Sequence, residues 1–345
     1  MRILIEAHHP AHIHFWKYPV RELIDRGHEV LMIGRDRDVM RRLLEVYDWI
    51  PAEIPTRRTG KNKFPLVEML ERQWAVAQAI RRFKPDVIAS LMGSYTQSAK
   101  LLGVRNLVFT DSEFQHFNHR IAHPFADEIH TPDCFYKDLG RKQWRYQGIH
   151  ELIFLSPVRF VRDASFLGRY PQLQSDHYIV LRLSAWNTFH DLDHVGIGDQ
   201  VYSFVERVKN DYQIVISAEE SKVPPGLEEH ALTVAPEDFH QLLAHSQFVL
   251  SEGASTASEA ACLGVPCVYV NSTEARGYLR LLEDRYQLIR GFSEPVTGIA
   301  AALEWLDSLN DPAVRLQFVE VATGFVEDSI DLVDYVIEQL TRESC

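Results

Sequence analysis

The 345-residue chain has no apolar run approaching the ~20 residues that cross a bilayer, which excludes a helical membrane protein. A disulfide framework is missing as well, since its four cysteines, at 134, 262, 267 and 345, show no CxxC spacing. No low-complexity tract and no repeat of solenoid period occurs. Hydrophobic residues make up 46% and charged residues 24%, the balance of a folded chain, not of a disordered or collagenous one. Positive charge is scarce: 36 Lys+Arg face 48 Asp+Glu, a net charge of −12, which speaks against a nucleic-acid-binding body and against general attraction to anionic membranes. One basic cluster, Arg57-Arg58-Thr59-Gly60-Lys61-Asn62-Lys63, is the exception and the single place suited to a peripheral membrane contact. Met1-Arg2-Ile3 leads straight into a strand with no signal peptide, so the expected compartment is the cytoplasm.

What is abundant is histidine, 16 in all and clustered, and the length itself exceeds one ordinary core. Residues 2–7 read as a buried strand, Phe15, Trp16, Val20, Leu23 and Ile24 recur at helical spacing until Gly27, and 29–34 reads as the next strand. This is a βαβ unit, and its parallel strands imply a sheet covered on both faces. Helices over 36–47, 66–83, 95–102 and 117–124 alternate with strands over 86–91, 104–109 and 128–131. After a weakly periodic stretch the alternation restarts: strands at 177–183, 212–217, 248–251 and 266–270, helices at 199–209, 239–245 and 254–263. The expected fold is therefore α/β, with two doubly wound Rossmann-like domains: 1–155, a linker at 156–176, and 177–324. The closing helical stretch, broken at Gly324, is expected to return over the first domain across about 325–345.

The stretch Ser251-Glu-Gly-Ala-Ser-Thr-Ala-Ser-Glu259-Ala-Ala-Cys-Leu-Gly264-Val-Pro266 places a helix start directly after a strand. Unpaired N–H groups and the positive end of the helix dipole meet there, which suits a phosphate. Gly253 and Ala254 admit close backbone approach, while Ser255 and Thr256 add hydroxyls. Glu259, one turn on, is placed to accept from a ribose diol. The same residues also fit a capped, solvated helix start. Ligands of open α/β sheets bind beyond the carboxyl ends of the strands, which is where this turn lies.

Gly253-Ala-Ser-Thr-Ala-Ser-Glu259 followed by Gly264-Val-Pro266 resembles the nucleotide-sugar motif of GT-B glycosyltransferases, particularly the N-acetylglucosaminyltransferase of peptidoglycan lipid synthesis. That resemblance implies a two-domain fold facing across a cleft, UDP phosphates held at residues 253–256, and ribose bound by Glu259. The opening, His9-Pro-Ala-His-Ile-His-Phe15, Arg26-Gly-His-Glu-Val30 and Asp36-Arg-Asp38, resembles a large archaeal and bacterial family of unknown function, as does Phe125-Ala-Asp-Glu-Ile-His-Thr-Pro132.

His8, His9, His12 and His14 fall at the end of the first strand and in the first helical turn. The GT-B resemblance places His12 facing the donor phosphates or the acceptor, as base, acid or donor, and His9 beside it among the nucleotide-sugar contacts. Where those transferases have glycines this chain has Ala7-His-His-Pro-Ala-His12. His12-Ile-His14 also resembles the metal-binding opening of barrel amidohydrolases, which needs further strand-end ligands, and His190 and His194 lack the glutamate of a HExxH helix. No metal and no cofactor is expected.

Asp111, Glu113 and His116, behind the strand Arg105-Asn-Leu-Val-Phe109, converge on a strand's carboxyl end as a candidate acid/base set, or else cap the surface. The same stretch is similar to UDP-N-acetylglucosamine 2-epimerases, except that Gln115 and His116 stand at their paired glutamates and Leu181-Arg-Leu-Ser-Ala-Trp-Asn-Thr188 lacks their histidine. Asn271-Ser-Thr-Glu274-Ala-Arg276 resembles their nucleotide-sugar loop, which brings in Glu274. Arg182 is a candidate partner for the leaving diphosphate or a surface ion-pair residue. The expectation is a metal-independent glycosyltransferase using a nucleoside-diphosphate sugar, UDP-linked, with an open acceptor. An epimerase or hydrolase of the same sugars, a metal-dependent hydrolase and a non-catalytic binding protein stand as alternatives.

Overall fold

The computed structural model describes residues 1–36, 38–57, 65–173, 177–184, 196–218, 223–274 and 276–342. It divides into two units: Met1–Phe154 with Ser329–Cys345, and Leu155–Asp328. The basic cluster from Arg58 to Lys63, the histidines His190 and His194, and residues 185–188 lie outside the described residues.

Unit 1 holds β1 (Arg2–Glu6), α1 (Pro10–Asp25), β2 (Glu29–Asp36), α2 (Asp38–Val46), β3 (Ala52–Arg57), α3 (Pro65–Phe83), β4 (Val87–Leu91), α4 (Thr96–Leu101), β5 (Arg105–Phe109), α5 (His116–Ile121), β6 (Glu128–Pro132) and β7 (Gln143–Tyr146), with α6 (Leu152–Leu155) at its boundary. Its seven strands are ordered β3-β2-β1-β4-β5-β6-β7, every pairing parallel. Helices on both faces bury the central strands, and Ile3, Leu4, Ile5 and the whole of β4 are inaccessible to solvent or nearly so. The chain builds outward from β1 in one direction and then from β4 in the other, so the strand order reverses between β1 and β4. Ligands of open parallel sheets bind outside the carboxyl ends of the strands at such a reversal.

Two local devices fix α1 against that reversal point. His9 caps its start, with Nδ1 accepting from the Ala11 N–H at 3.3 Å and Pro10 preset for the first turn. Gly27, at φ +84, closes it, because the returning amides of Gly27 and His28 reach Ile24 and Leu23 only through a left-handed residue.

Unit 2 holds α7 (Phe166–Arg169), β8 (Tyr178–Leu183), α8 (Gln200–Val208), β9 (Gln213–Ala218), α9 (Phe239–Ala244), β10 (Phe248–Ser251), α10 (Ala254–Cys262), β11 (Cys267–Val270), α11 (Gly277–Arg280), β12 (Ile289–Phe292), α12 (Pro295–Ser308) and α13 (Pro312–Glu327). Its sheet runs β12-β11-β10-β8-β9, again all parallel, and the order reverses between β8 and β10.

The last helix, α14 (Leu332–Thr341), belongs to unit 1, where it packs on α1. Tyr335 Oη meets His130 Nδ1 at 2.8 Å, and Arg105 donates to the carbonyls of Gln339 and Arg342 while pairing with Glu128 at 2.7 Å.

Several expectations change. Gly324 does not break the closing stretch; it lies inside α13, and the turn falls at Asp328–Asp331, where Asp331 caps α14 by accepting from the amides of Val333 and Asp334. The described part of the stretch read as a linker, 156–173, belongs to unit 2, held by fully buried Phe166 and by Gln241 Oε1 accepting from the Asp163 N–H at 2.8 Å. The strands β3, β7 and β12 and helix α12 are additional to those read from periodicity.

Candidate functional site

In unit 2, β10 delivers the chain to the reversal point at Ser251, whose Oγ accepts from the Gly253 N–H at 3.0 Å and donates to the Gly253 carbonyl at 2.9 Å. Gly253 is the N-cap of α10, at φ −92 and ψ 123, and among the described residues no side chain caps the helix. The first intrahelical bond is Ala257 N–H to Gly253 O, so the amides of Ala254, Ser255 and Thr256 head the helix. Any residue can adopt the Gly253 conformation, and an added Cβ would meet Thr256 Oγ1 only at 3.6 Å. Neither backbone nor packing demands the glycine; its effect is to leave the amides open to approach. Ala254 and Thr256 are buried and Ser255 is exposed.

Glu259, half-buried one turn along, lies 3.2 Å from Nε2 of His240, a buried residue of α9. Arg182, at the end of β8, donates to Ser217 Oγ at 3.1 Å and stacks 5.2 Å from the Phe239 ring. Glu274 is exposed on the turn after β11. Nothing in the periodicity announces Glu252, the residue before Gly253, yet it organises this end of the sheet. Its buried carboxylate accepts from the amides of Ser184 and Ile197, each at 2.7 Å, and its carbonyl accepts from Asn271 Nδ2 at 2.9 Å.

In unit 1 the reversal point gathers residues from four elements. Glu6, the last residue of β1 and buried, lies 3.2 Å from His8 Nδ1, accepts from Ser94 Oγ at 3.1 Å and stands 3.6 Å from Arg72 of α3, which also donates to Ser94 Oγ. Burial alone would raise its pKa, but His8, Arg72 and Ser94 outweigh it and hold the carboxyl below its ordinary range. The turn that presents Ser94 carries two successive left-handed residues, Met92 at φ +79 and Gly93 at φ +77, and a Cβ on Gly93 would sit 2.7 Å from Val108. A methionine in that conformation is strained, and such strain gathers where geometry serves a site.

His12 points into this neighbourhood, edge-on to His8 at 4.4 Å. It is buried, and its Nδ1 has no hydrogen-bond partner among the described residues. Burial first, then the charges of His8, His9, Arg72 and His150, push its pKa well below the ordinary histidine value, so the ring is neutral at pH 7. His14 faces the other way, packed on the rings of Tyr47 and Phe154.

Asp111, beyond β5, pairs with His150 Nδ1 at 3.2 Å and accepts from Ser112 Oγ at 3.0 Å. The histidine beside this carboxylate is therefore His150, from the segment after β7, in place of the expected His116. His116 is exposed, with Nδ1 at 3.4 Å from Lys137 Nζ. Glu113 is buried and accepts from the Tyr136 N–H at 3.4 Å. Behind it, His119 Nε2 meets the Glu113 carbonyl at 3.1 Å and His119 Nδ1 meets His123 Nδ1 at 3.1 Å, with burial driving the His123 pKa down to about 4. Among the described residues no group of three or more His, Cys, Asp or Glu side chains has metal-holding geometry, and no helix is long and apolar enough to cross a membrane.

The family described as "Protein of unknown function (DUF354)" matches residues 1–330. The chain belongs to that family. A relative from Methanocaldococcus jannaschii, "Uncharacterized protein MJ0665", is 23% identical over 301 residues, covering 83% of this chain and 86% of its own. Among solved structures, a UDP-GlcNAc 2-epimerase from Neisseria meningitidis bound to UDP-GlcNAc superposes with a TM-score of 0.67 at 12% identity, covering 99% of each chain. MurG from Acinetobacter baumannii superposes with a TM-score of 0.58 at 14% identity, also covering 99% of each. The fold is thus of the GT-B type, shared with epimerases and glycosyltransferases that differ in reaction.

Proposed function

We propose that the protein binds a nucleoside-diphosphate sugar, UDP-linked, and transfers the sugar to an acceptor without a divalent metal ion. The observation that carries this reading is the start of α10: an uncapped helix head with a dispensable glycine, set at the strand-order reversal of unit 2. The amides of Ala254, Ser255 and Thr256 would take the diphosphate, whose charge the helix dipole favours. Arg182 would add a cation, Glu259 the ribose contact, and Glu274 and His9 outer contacts. His240 Nε2, 3.2 Å from the Glu259 carboxylate, restrains that side chain, which supports a fixed ribose contact over a freely solvated acid.

In transfer, an acceptor oxygen bonds to the anomeric carbon as the bond from that carbon to the diphosphate breaks. The electron pair leaves with UDP, stabilised at the helix head. The acceptor proton would go to His12, a buried ring whose Nδ1 has no hydrogen-bond partner among the described residues. Asp111 orients His150, and Glu113 and His116 would assist from the segment that follows β5.

A second reading rests on one observation: unit 1 contains two buried histidines, His12, whose Nδ1 has no hydrogen-bond partner among the described residues, and His150, paired with Asp111, and an epimerisation needs two such proton-carrying groups. Incubation with UDP-sugars separates the two. Acceptor-dependent UDP release supports transfer, epimer formation without acceptor supports epimerisation, and a full donor panel giving neither turnover nor binding refutes both.

A further inference from the structure

Away from both reversal points, unit 2 has a groove of about 320 Å³ between the segment that leads into β12 and the start of that strand on one side, and Trp305 of α12 with the flank of α13 on the other. Its floor is Trp305 and Phe318, both buried, and Val314 and Val321 share the Phe318 face of α13. Over Trp305, at 4.6 Å from the ring, lies the guanidinium of Arg290. Among the described residues no carboxylate stands within 4.0 Å of Arg290 and none of its N–H groups donates a hydrogen bond to a protein acceptor. Arg290 is half-buried, and its guanidinium faces the groove side of Trp305 with its N–H groups uncommitted among the described residues.

The wall opposite α13 is a helix ending of unusual form, closed by the Gln287 and Leu288 amides returning to the Glu283 and Leu282 carbonyls. Residues Leu281–Arg285 form a single π-helical turn, and Gln287 is held at φ +54. Both features cost energy in a non-glycine stretch, and π turns recur where a chain is shaped around a ligand. Glu283, the acid on this wall, is turned to accept from the Gly291 N–H at 2.7 Å, which commits its Oε1 to the backbone.

We infer that this groove is a second small-molecule site, for a compact apolar carboxylate whose body lies on Trp305 and Phe318 and whose acid is taken by Arg290. The volume suits a ligand of modest size, and a guanidinium already stacked on an indole is preorganised to give a carboxylate two parallel hydrogen bonds.

The test is calorimetric titration of the full chain with 3-phenylpropionate and with its neutral amide, followed in parallel by tryptophan fluorescence. The acid should bind, the amide about tenfold or more weakly, as expected for a charge-assisted pair. Arg290→Gln should erase that preference, Arg290→Lys should keep part of it, and Trp305→Phe should remove the fluorescence response. Circular dichroism melting checks that each variant is folded. Acid and amide binding alike to the parent protein, binding untouched by Arg290→Gln, or no binding of the acid at about 5 mM, weaker than the range of useful small-ligand sites, would overturn the assignment.

Discussion

Glu252 offers the sharpest perturbation of the unit 2 site. Its carboxylate accepts two backbone amides at 2.7 Å, from Ser184 and Ile197, and is itself buried. Hydrogen bonds to a charged group contribute about 1.5–3 kcal/mol each. In Glu252→Ala both amides lose their acceptor. The Ser184 amide is half-exposed and can recover a water, whereas the Ile197 amide is buried and stays unsatisfied. The net loss is then about 3 kcal/mol. For a unit of this size that corresponds to a fall of about 6–12 °C in the unit 2 transition, read by differential scanning calorimetry. Glu252→Gln keeps one acceptor oxygen and should lose about half as much. Glu252 also accepts Asn271 through its carbonyl and directly precedes Gly253, so UDP affinity should fall along with the transition. An unchanged transition in Glu252→Ala would refute the view that this carboxylate holds the reversal point together.

Three further outcomes follow from unit 1. His12→Gln should lower turnover about 100-fold or more while leaving UDP binding close to the parent value, as steady-state rates and calorimetry will tell; full activity would remove His12 from the chemistry. Stability should fall on acidification, because His12, His119 and His123 are held neutral and a histidine with a depressed folded pKa stabilises only above its unfolded value, losing that contribution as pH drops towards the folded one. For His123, from 6.5 to about 4, that is about 3 kcal/mol, and Glu128, lowered to about 2, extends the loss below pH 4.5; identical urea midpoints at about pH 7.5 and 5 would contradict this. Gly93→Ala forces a Cβ to 2.7 Å from Val108 at φ +77 and should cost about 2 kcal/mol or more by urea denaturation, where a neutral result would mean the turn after β4 relaxes freely.

Period and punctuation carried most of the architecture. The buried runs at β1, β4, β8 and β10 are continuous apolar segments, and Gly27 and Gly253 mark helix boundaries that the structure keeps. β7 escaped because Gln143-Trp-Arg-Tyr146 is an edge strand with two exposed residues, so neither face shows an apolar pattern. Gly324 misled because a glycine on a half-exposed helix face costs only about 1 kcal/mol, less than α13 regains by packing Phe318, Ala322 and Phe325.

The site divides the same way. The α10 head is local in sequence and its pattern shows in a single stretch. The Asp111–His150, Glu6–Arg72 and Glu259–His240 pairs are made by tertiary folding, between elements whose spacing along the chain carries no sign of contact. Glu252 was visible only as one more acid beside a glycine, since its role depends on where the amides of Ser184 and Ile197 arrive.

The proposed function stands or falls with the binding of a UDP-sugar diphosphate at the head of α10 in unit 2. A crystal of the full chain grown with UDP tests it most directly. The diphosphate is expected on the amides of Ala254, Ser255 and Thr256, with the ribose against Glu259. Density for UDP elsewhere on the molecule, with the α10 head unoccupied, would contradict it.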